Sequence, residues 1–155
     1  MAYVTSAGVP DPAPDLCIFC VALDGHDDRR ALLLRRGPEA FLILNKFPYA
    51  SGHVMAATNR HVASVEETTP AEISQAMDLV RAAVRALGHA YAPDGFNIGI
   101  NQGRAAGAGV VGHLHIHVVP RWSGDVNFMP IVSDTRVLPE SLATTYDRLL
   151  AALGS

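Results

Sequence analysis

His113, His115 and His117 occupy alternate positions in the run His113-Leu114-His115-Ile116-His117, the densest concentration of reactive side chains in the chain. On an extended strand successive side chains point to opposite faces. The three imidazoles therefore share one face, with neighbours about 6.5–7 Å apart. Leu114, Ile116 and Val118 share the other face, which can pack on a helix while the histidines line a cavity. A neutral imidazole, with an ordinary pKa near 6.5, is a good nucleophile toward phosphorus around neutral pH. It attacks without first losing a proton and forms a phosphoramidate, so one hard displacement becomes two easier ones. On the residues alone, three readings stand: a nucleophile between two phosphate-binding rings, a metal-chelating face, or a polar strand face without chemistry.

A second constellation lies far away in sequence. The chain has two cysteines, Cys17 and Cys20. They are too few for a disulfide framework, and a Cys-x-x-Cys pair points to metal or redox chemistry. Before the histidine run, Asn101-Gln102-Gly103-Arg104-Ala105-Ala106-Gly107-Ala108-Gly109 is rich in small residues, whose backbone N–H groups can approach an anion closely. Arg104 can add charge.

These residues need elements to position them. Ala31–Arg35 and Ala40–Leu44, parted by Gly37-Pro38, predict two paired strands. His53–Ala57, after Tyr49-Ala50-Ser51-Gly52, predicts a third, and Phe96–Ile100 a fourth. His113–Val119 predicts a strand stopped by Pro120. Thr69-Pro70-Ala71-Glu72 supplies a cap, a proline for the first helical position and a capping-box glutamate. A helix over about 70–91 follows, with Ile73, Met77, Val80, Val84 and Leu87 on its inner face. Pro93-Asp94-Gly95 ends that region. A last helix is expected from Pro139 to about Leu153, with Leu142, Leu149 and Leu153 inward. The strands do not alternate regularly with helices, which favours an α+β layout: an antiparallel sheet of about five strands, one long helix and a C-terminal helix.

The chain of 155 residues suits one domain. Residues 1–15, with Pro10, Pro12 and Pro14, read as a flexible N-terminal segment, and 16–155 as the single domain. The formal net charge of −3 argues against binding nucleic-acid backbones over a wide face. No apolar run approaches the roughly 18–20 residues that span a bilayer. Met1 to Asp15 carries neither a basic region nor an apolar core, so a cytoplasmic location is expected, with no membrane partner.

The run Gly112-His113-Leu114-His115-Ile116-His117-Val118-Val119-Pro120-Arg121-Trp122 closely resembles the His-φ-His-φ-His-φ-φ signature of the histidine-triad (HIT) family. Further motifs resemble that family in the same order. Cys17-Ile18-Phe19-Cys20 looks like its N-terminal Cys-Ile-Phe-Cys. Phe41-Leu42-Ile43-Leu44-Asn45-Lys46-Phe47-Pro48-Tyr49 and Ser51-Gly52-His53-Val54-Met55 match its ribose-side strand and the Gly-His that follows. Asn59-Arg60-His61 matches its Lys/Arg-His element. The likeness covers about residues 17–150. The continuation from Val119 through Asp125 to Pro130 is similar to the bacterial diadenosine tetraphosphate phosphorylases and hydrolases of the family.

The resemblance implies a HIT-like fold and a homodimer. It implies cleavage of a dinucleoside polyphosphate through a nucleotidyl-histidine intermediate, by phosphorolysis or hydrolysis. Neighbouring possibilities are a nucleoside phosphoramidase and a nucleotide-binding regulatory module with little activity. By position, the catalytic set is His115 as nucleophile, His117 at the phosphate and leaving oxygen, His53 behind the nucleophile, and His113. Asn45 accepts the ribose hydroxyls, while Phe19 and Phe41 bound the base pocket. Asn101 and the amides of Gly107, Ala108, Gly109 and Val110 hold phosphate, and Trp122 stacks on the distal base. Ala108-Gly109-Val110 departs from the Gln-Ser, Gln-Thr or Gly-Ser common at this point, which leaves water or orthophosphate open as the second acceptor. The resemblance also implies structural zinc on Cys17, Cys20, His61 and His113, fixing His113, and no organic cofactor.

Overall fold

Gly37-Pro38 turns the chain between β1 (Leu33–Arg36) and β2 (Ala40–Leu44), and the two pair antiparallel. The computed structural model describes residues 16–125 and 140–154. The expected flexible segment 1–15, the stretch 126–130 used in the resemblance, and the helix start at Pro139 lie outside the described residues. Two short helices precede β1, α1 (Ile18–Asp24) and α2 (Asp28–Ala31). The expected strand beginning at Ala31 is corrected here. Asp27 caps α2 by accepting the Arg30 N–H, and Leu32 adopts a left-handed conformation (φ 61°) that ends the helix and delays the strand to Leu33.

β3 (Val54–Thr58), β4 (Gly95–Ile100) and β5 (His115–Arg121) complete a five-stranded antiparallel sheet in the order β1-β2-β3-β5-β4. β5 runs through Pro120 rather than stopping there. Pairing with β3 ends at Val54↔Val118, while pairing with β4 continues to Gly95↔Arg121. Past Val118 only one flank of β5 is paired, so a residue without an N–H is accommodated.

The long helix α3 (Pro70–Tyr91) starts where the capping signals place it, with the Thr69 hydroxyl and the Glu72 carboxylate each bonded to the other's backbone N–H. Its inner stripe is Ala76, Leu79, Val80, Ala83 and Leu87, which pack with Leu42, Leu44, Val54, Ala56, Ile116 and Val118. The alanines let the helix approach the sheet closely. Met77, expected inward, is 43% exposed. The C-terminal helix α4 (Leu142–Gly154) buries Tyr146 and Leu149 against this layer, and the Tyr146 hydroxyl donates to the Leu33 carbonyl at 2.9 Å.

The opposite face of the sheet is covered as well. Cys17, Phe19 and Ala22 pack with Leu33, Phe41, Ile43, Met55 and Ala57. Burial on both faces explains why β2 and β3 are buried along their whole length. Among the described residues, no helix is long and apolar enough to cross a membrane.

Candidate active site and metal centre

The register of β5 puts Ile116 and Val118 under α3 and turns His115 and His117 to the other face. His117 lies across from Met55 and Gly99, and His115 across from Ala57. The His115 and His117 ring centres are 4.8 Å apart, and His117 and His53 are 5.1 Å apart. His53 reaches the same cluster from the start of β3. It follows Gly52, whose φ of 83° makes the turn and whose missing Cβ would lie 2.6 Å from Leu87 Cδ2.

Hydrogen bonds assign the protons. Nδ1 of His115 lies 2.7 Å from the His113 carbonyl, which can only accept, so His115 carries its proton on Nδ1 and presents a bare Nε2. Nδ1 of His53 accepts the Tyr49 backbone N–H at 3.2 Å, so its proton is on Nε2 and points at His117 Nδ1, 2.9 Å away. His117 then accepts at Nδ1 and carries its own proton on Nε2. Burial holds all these rings neutral. It pushes His53 down to about 3, helped by His117 and His115, and His117 down to about 4, helped by His115. Burial also lowers His115 from its ordinary value. A neutral ring with an unshared nitrogen pair next to an N–H donor can attack an electrophile and stabilise negative charge beside it.

His113 stands just before β5 and turns elsewhere. Its Nδ1 lies 3.4 Å from Cys17 Sγ and 3.5 Å from Cys20 Sγ, and Cys20 Sγ lies 3.4 Å from His61 Nδ1. The four ligand atoms all fall within 4.8 Å of one another. Tetrahedral zinc with thiolate and imidazole ligands sets neighbouring ligand atoms roughly 3.3–3.8 Å apart. The His113 Nε2–H donates to the Thr58 carbonyl at 2.7 Å, the outer bond that a metal-binding histidine usually makes. Donor types, spacing and outer partner therefore fit zinc. With four protein ligands the site would be closed and structural.

The remaining expected residues separate. Asn45 sits in the cluster, its amide nitrogen 3.2 Å from His53 Nδ1 and its oxygen accepting the Phe47 N–H. Asn101 lies at the base of the loop beside Gly107. Within the loop, the Gly107 N–H donates to the Arg104 carbonyl and the Ala108 N–H to that of Gly103, so those two donors are committed. Val110 packs onto the core beneath α1. Phe19 and Phe41 are 1% and 0% exposed, Phe19 on α1 and Phe41 on β2, and both pack in the layer beside the histidines. Trp122 does not join the others: it lies beyond the far end of β5, about 20 Å along the strand from His115.

Three contacts were not read from the sequence. The Tyr49 ring lies 4.7 Å from His53 and 6.2 Å from His117. Gln102 ties the small-residue loop to the turn at Val65–Glu67 through the Val65 N–H and Glu66. The Phe19 ring lies 5.0 Å from His115 and 5.2 Å from His113. Tyr49 lay in a quoted motif, but it meets His53 Nδ1 through its own main-chain N–H, which leaves no side-chain signature.

The HIT domain family model matches residues 29–124. The chain is 40% identical over 124 residues to an AP-4-A phosphorylase from Mycobacterium tuberculosis, an alignment covering 80% of this chain and 63% of the relative. It thus spans less than two thirds of that relative's length. It is 32% identical over 109 residues to an adenylylsulfatase from Arabidopsis thaliana, covering 70% of this chain and 54% of the relative. Among solved structures, a Zn-bound histidine triad family protein from Mycobacterium smegmatis superposes with a TM-score of 0.74 at 26% identity, covering 92% and 96% of the two chains.

Proposed function

Since the chain belongs to the HIT family, we propose that it cleaves dinucleoside polyphosphates, with His115 as the nucleophile. The observation that carries this reading is the bond from His115 Nδ1 to the His113 carbonyl, which leaves Nε2 bare and directed away from the backbone. Nε2 attacks the phosphorus of one nucleotidyl group. A P–N bond forms as the P–O bond to the departing polyphosphate breaks. The leaving oxygen departs as a phosphate anion that accepts a hydrogen bond from His117 Nε2–H, so it requires no proton at neutral pH. In the second step an acceptor oxygen attacks phosphorus, the P–N bond breaks, and its electron pair returns to Nε2. The phosphorylase relative favours orthophosphate as the acceptor over water.

Asn45 would meet the ribose, and the Gly109 and Val110 amides with Asn101 would hold phosphate. Zinc on Cys17, Cys20, His61 and His113 would pin the N-terminal segment beside β5. The homodimer is supported by β4, an edge strand without a charged side chain whose Ile98 is 48% exposed. Such an edge is a template for a second copy. Trp122 would then serve a nucleotide site from the partner.

Diadenosine tetraphosphate mixed with the protein, with and without orthophosphate, tests the reading. ADP plus ATP appearing only with orthophosphate marks phosphorolysis, AMP plus ATP marks asymmetric hydrolysis, and two ADP mark symmetric cleavage. His115→Gly should abolish turnover while nucleotide binding persists. Near-normal rates in that variant would overturn the assignment.

A further inference from the structure

Phe19 sits between the two cysteines, on the first turn of α1. It is 1% exposed, and its ring meets three others: Phe41 at 6.3 Å, His113 edge-on at 5.2 Å, and His115 tilted at 5.0 Å. The helix that carries it has seven residues, and Cys17 at its start provides no side-chain cap. A helix this short is unstable alone. Its position depends on contacts made by the side chains it carries, and Cys17, Phe19 and Cys20 lie within one turn. The cysteines lie against His113 and His61. The same His113 gives its carbonyl oxygen to His115 Nδ1–H. His115 packs against His117 on its own strand, and from outside that strand it is held at two further points, its ring by Phe19 and its Nδ1 by the His113 carbonyl; both of these supports belong to the residues of the Cys17–Cys20–His61–His113 cluster or stand between them.

We propose that Phe19 is a positioning residue for the nucleophile, and that through Phe19 and the His113 carbonyl the Cys/His cluster sets the orientation and tautomer of His115. The proposal rests on His115 being the reactive ring, but its main readout is spectroscopic and independent of turnover. A neutral imidazole can carry its proton on either nitrogen. Only the Nδ1–H form has a bare Nε2. Loosening α1 lets the His115 ring tilt away from the carbonyl and populate the other form, whose Nε2 is blocked by its proton.

The test uses the zinc-loaded protein with 15N-labelled histidine, read by two-bond 1H–15N spectra at fixed neutral pH. Wild type should show His115 as the Nδ1–H tautomer. In Phe19→Ala the His115 signals should move toward averaged tautomers with zinc still bound. kcat on diadenosine tetraphosphate should fall about 10- to 100-fold with KM little changed, as expected for misorientation of a reacting group. Phe19→Met, which restores bulk, should recover most of both. Chelating the zinc from wild type should produce the same spectral change, and chelating it from Phe19→Ala should add little. Leu149→Ala, in the other core layer, controls for general destabilisation and should leave the His115 signals in place. If Phe19→Ala cannot be isolated folded, the chelation arm on wild type decides. Wild-type His115 signals in Phe19→Ala or in the chelated protein would overturn the proposal. A normal tautomer shift in a protein that cleaves no dinucleotide would instead remove the proposed substrate and leave the positioning intact.

Discussion

Acidification should destabilise this fold well before its carboxylates titrate, and His53 should account for a measurable share. His53 is fully buried and held down to about 3, and His117 is held down to about 4, against about 6.5 in the unfolded chain. A group whose folded pKa is depressed binds more protons when unfolded. Stability is then complete above the unfolded pKa and falls as pH drops toward the folded one. Between pH 7 and pH 5 the unfolded state goes from about one quarter to almost fully protonated at each ring, while the folded state gains almost nothing. The linkage relation then gives a loss of about 2 kcal/mol per ring, about 4 kcal/mol for the pair. That is a large fraction of the roughly 5–15 kcal/mol that holds a typical domain together.

Urea unfolding at pH 7 and pH 5 measures the loss in wild type and in His53→Gln. The variant should lose about 2 kcal/mol less across the same interval, because one of the two buried rings is gone. Any acid-sensitive loss from the proposed metal site at Cys17, Cys20, His61 and His113 is common to both proteins and cancels in the difference. Equal losses in the two proteins would show that His53 is not held neutral, and the proton assignment running from Tyr49 through His53 to His117 would fail with it.

Three further outcomes follow from particular contacts. Gly52→Ala places a Cβ 2.6 Å from Leu87 Cδ2 at a φ of 83°. It should cost about 2–4 kcal/mol in urea unfolding, and because His53 is the next residue, kcat should fall as well. Glu72 is 2% exposed, accepts from the Arg60 guanidinium at 2.8 Å and from the Thr69 N–H, and is held down to about 2 chiefly by Arg60. Glu72→Gln should lower stability by about 1–3 kcal/mol, read as a shift in thermal midpoint at constant metal content. Ile98→Lys puts a charge on the exposed edge strand β4 and should reduce the proposed homodimer to a monomer in sedimentation or size-exclusion analysis. An unchanged oligomer would move the interface elsewhere.

The parts that could be read from the sequence are those whose signals are local. Thr69-Pro70 and Glu72 mark the start of α3 because capping is decided within one turn. The spacing of His115 and His117 reads as a strand because the pleat has a period of two, whereas His113, expected on the same face, stands before the strand and turns to the cysteines. What escaped depends on a partner remote in sequence. Met77 fits a helical stripe as well as Ala76 does, but the face that α3 turns to the sheet runs through Ala76, Leu79, Val80, Ala83 and Leu87, which leaves Met77 outside it. Pro120 looks like a stop until β3 is seen to end opposite Val118. The cover over the histidine face is α1, whose apolar residues are too few to show a period. Phe19 and Phe41 carry the same resemblance to a base pocket whether exposed or buried, and only packing decides that they are buried.

The position of the first strand residue explains how one histidine run serves two sites. β5 begins at His115, so His115 and His117 obey the alternation of the pleat and remain together on one face. His113 precedes the ladder, and Leu114 is tied instead to the Val62 carbonyl. Released from the pleat, the His113 ring turns toward Cys17, Cys20 and His61, 5.1 Å from the His61 ring. Its main chain stays in line with the strand, where its carbonyl meets His115 Nδ1. A strand beginning two residues earlier would hold the His113 ring on the face of His115 and His117, away from Cys17, Cys20 and His61. The irregular backbone at 111–114 is thus what allows side chain and carbonyl of one residue to address different sites.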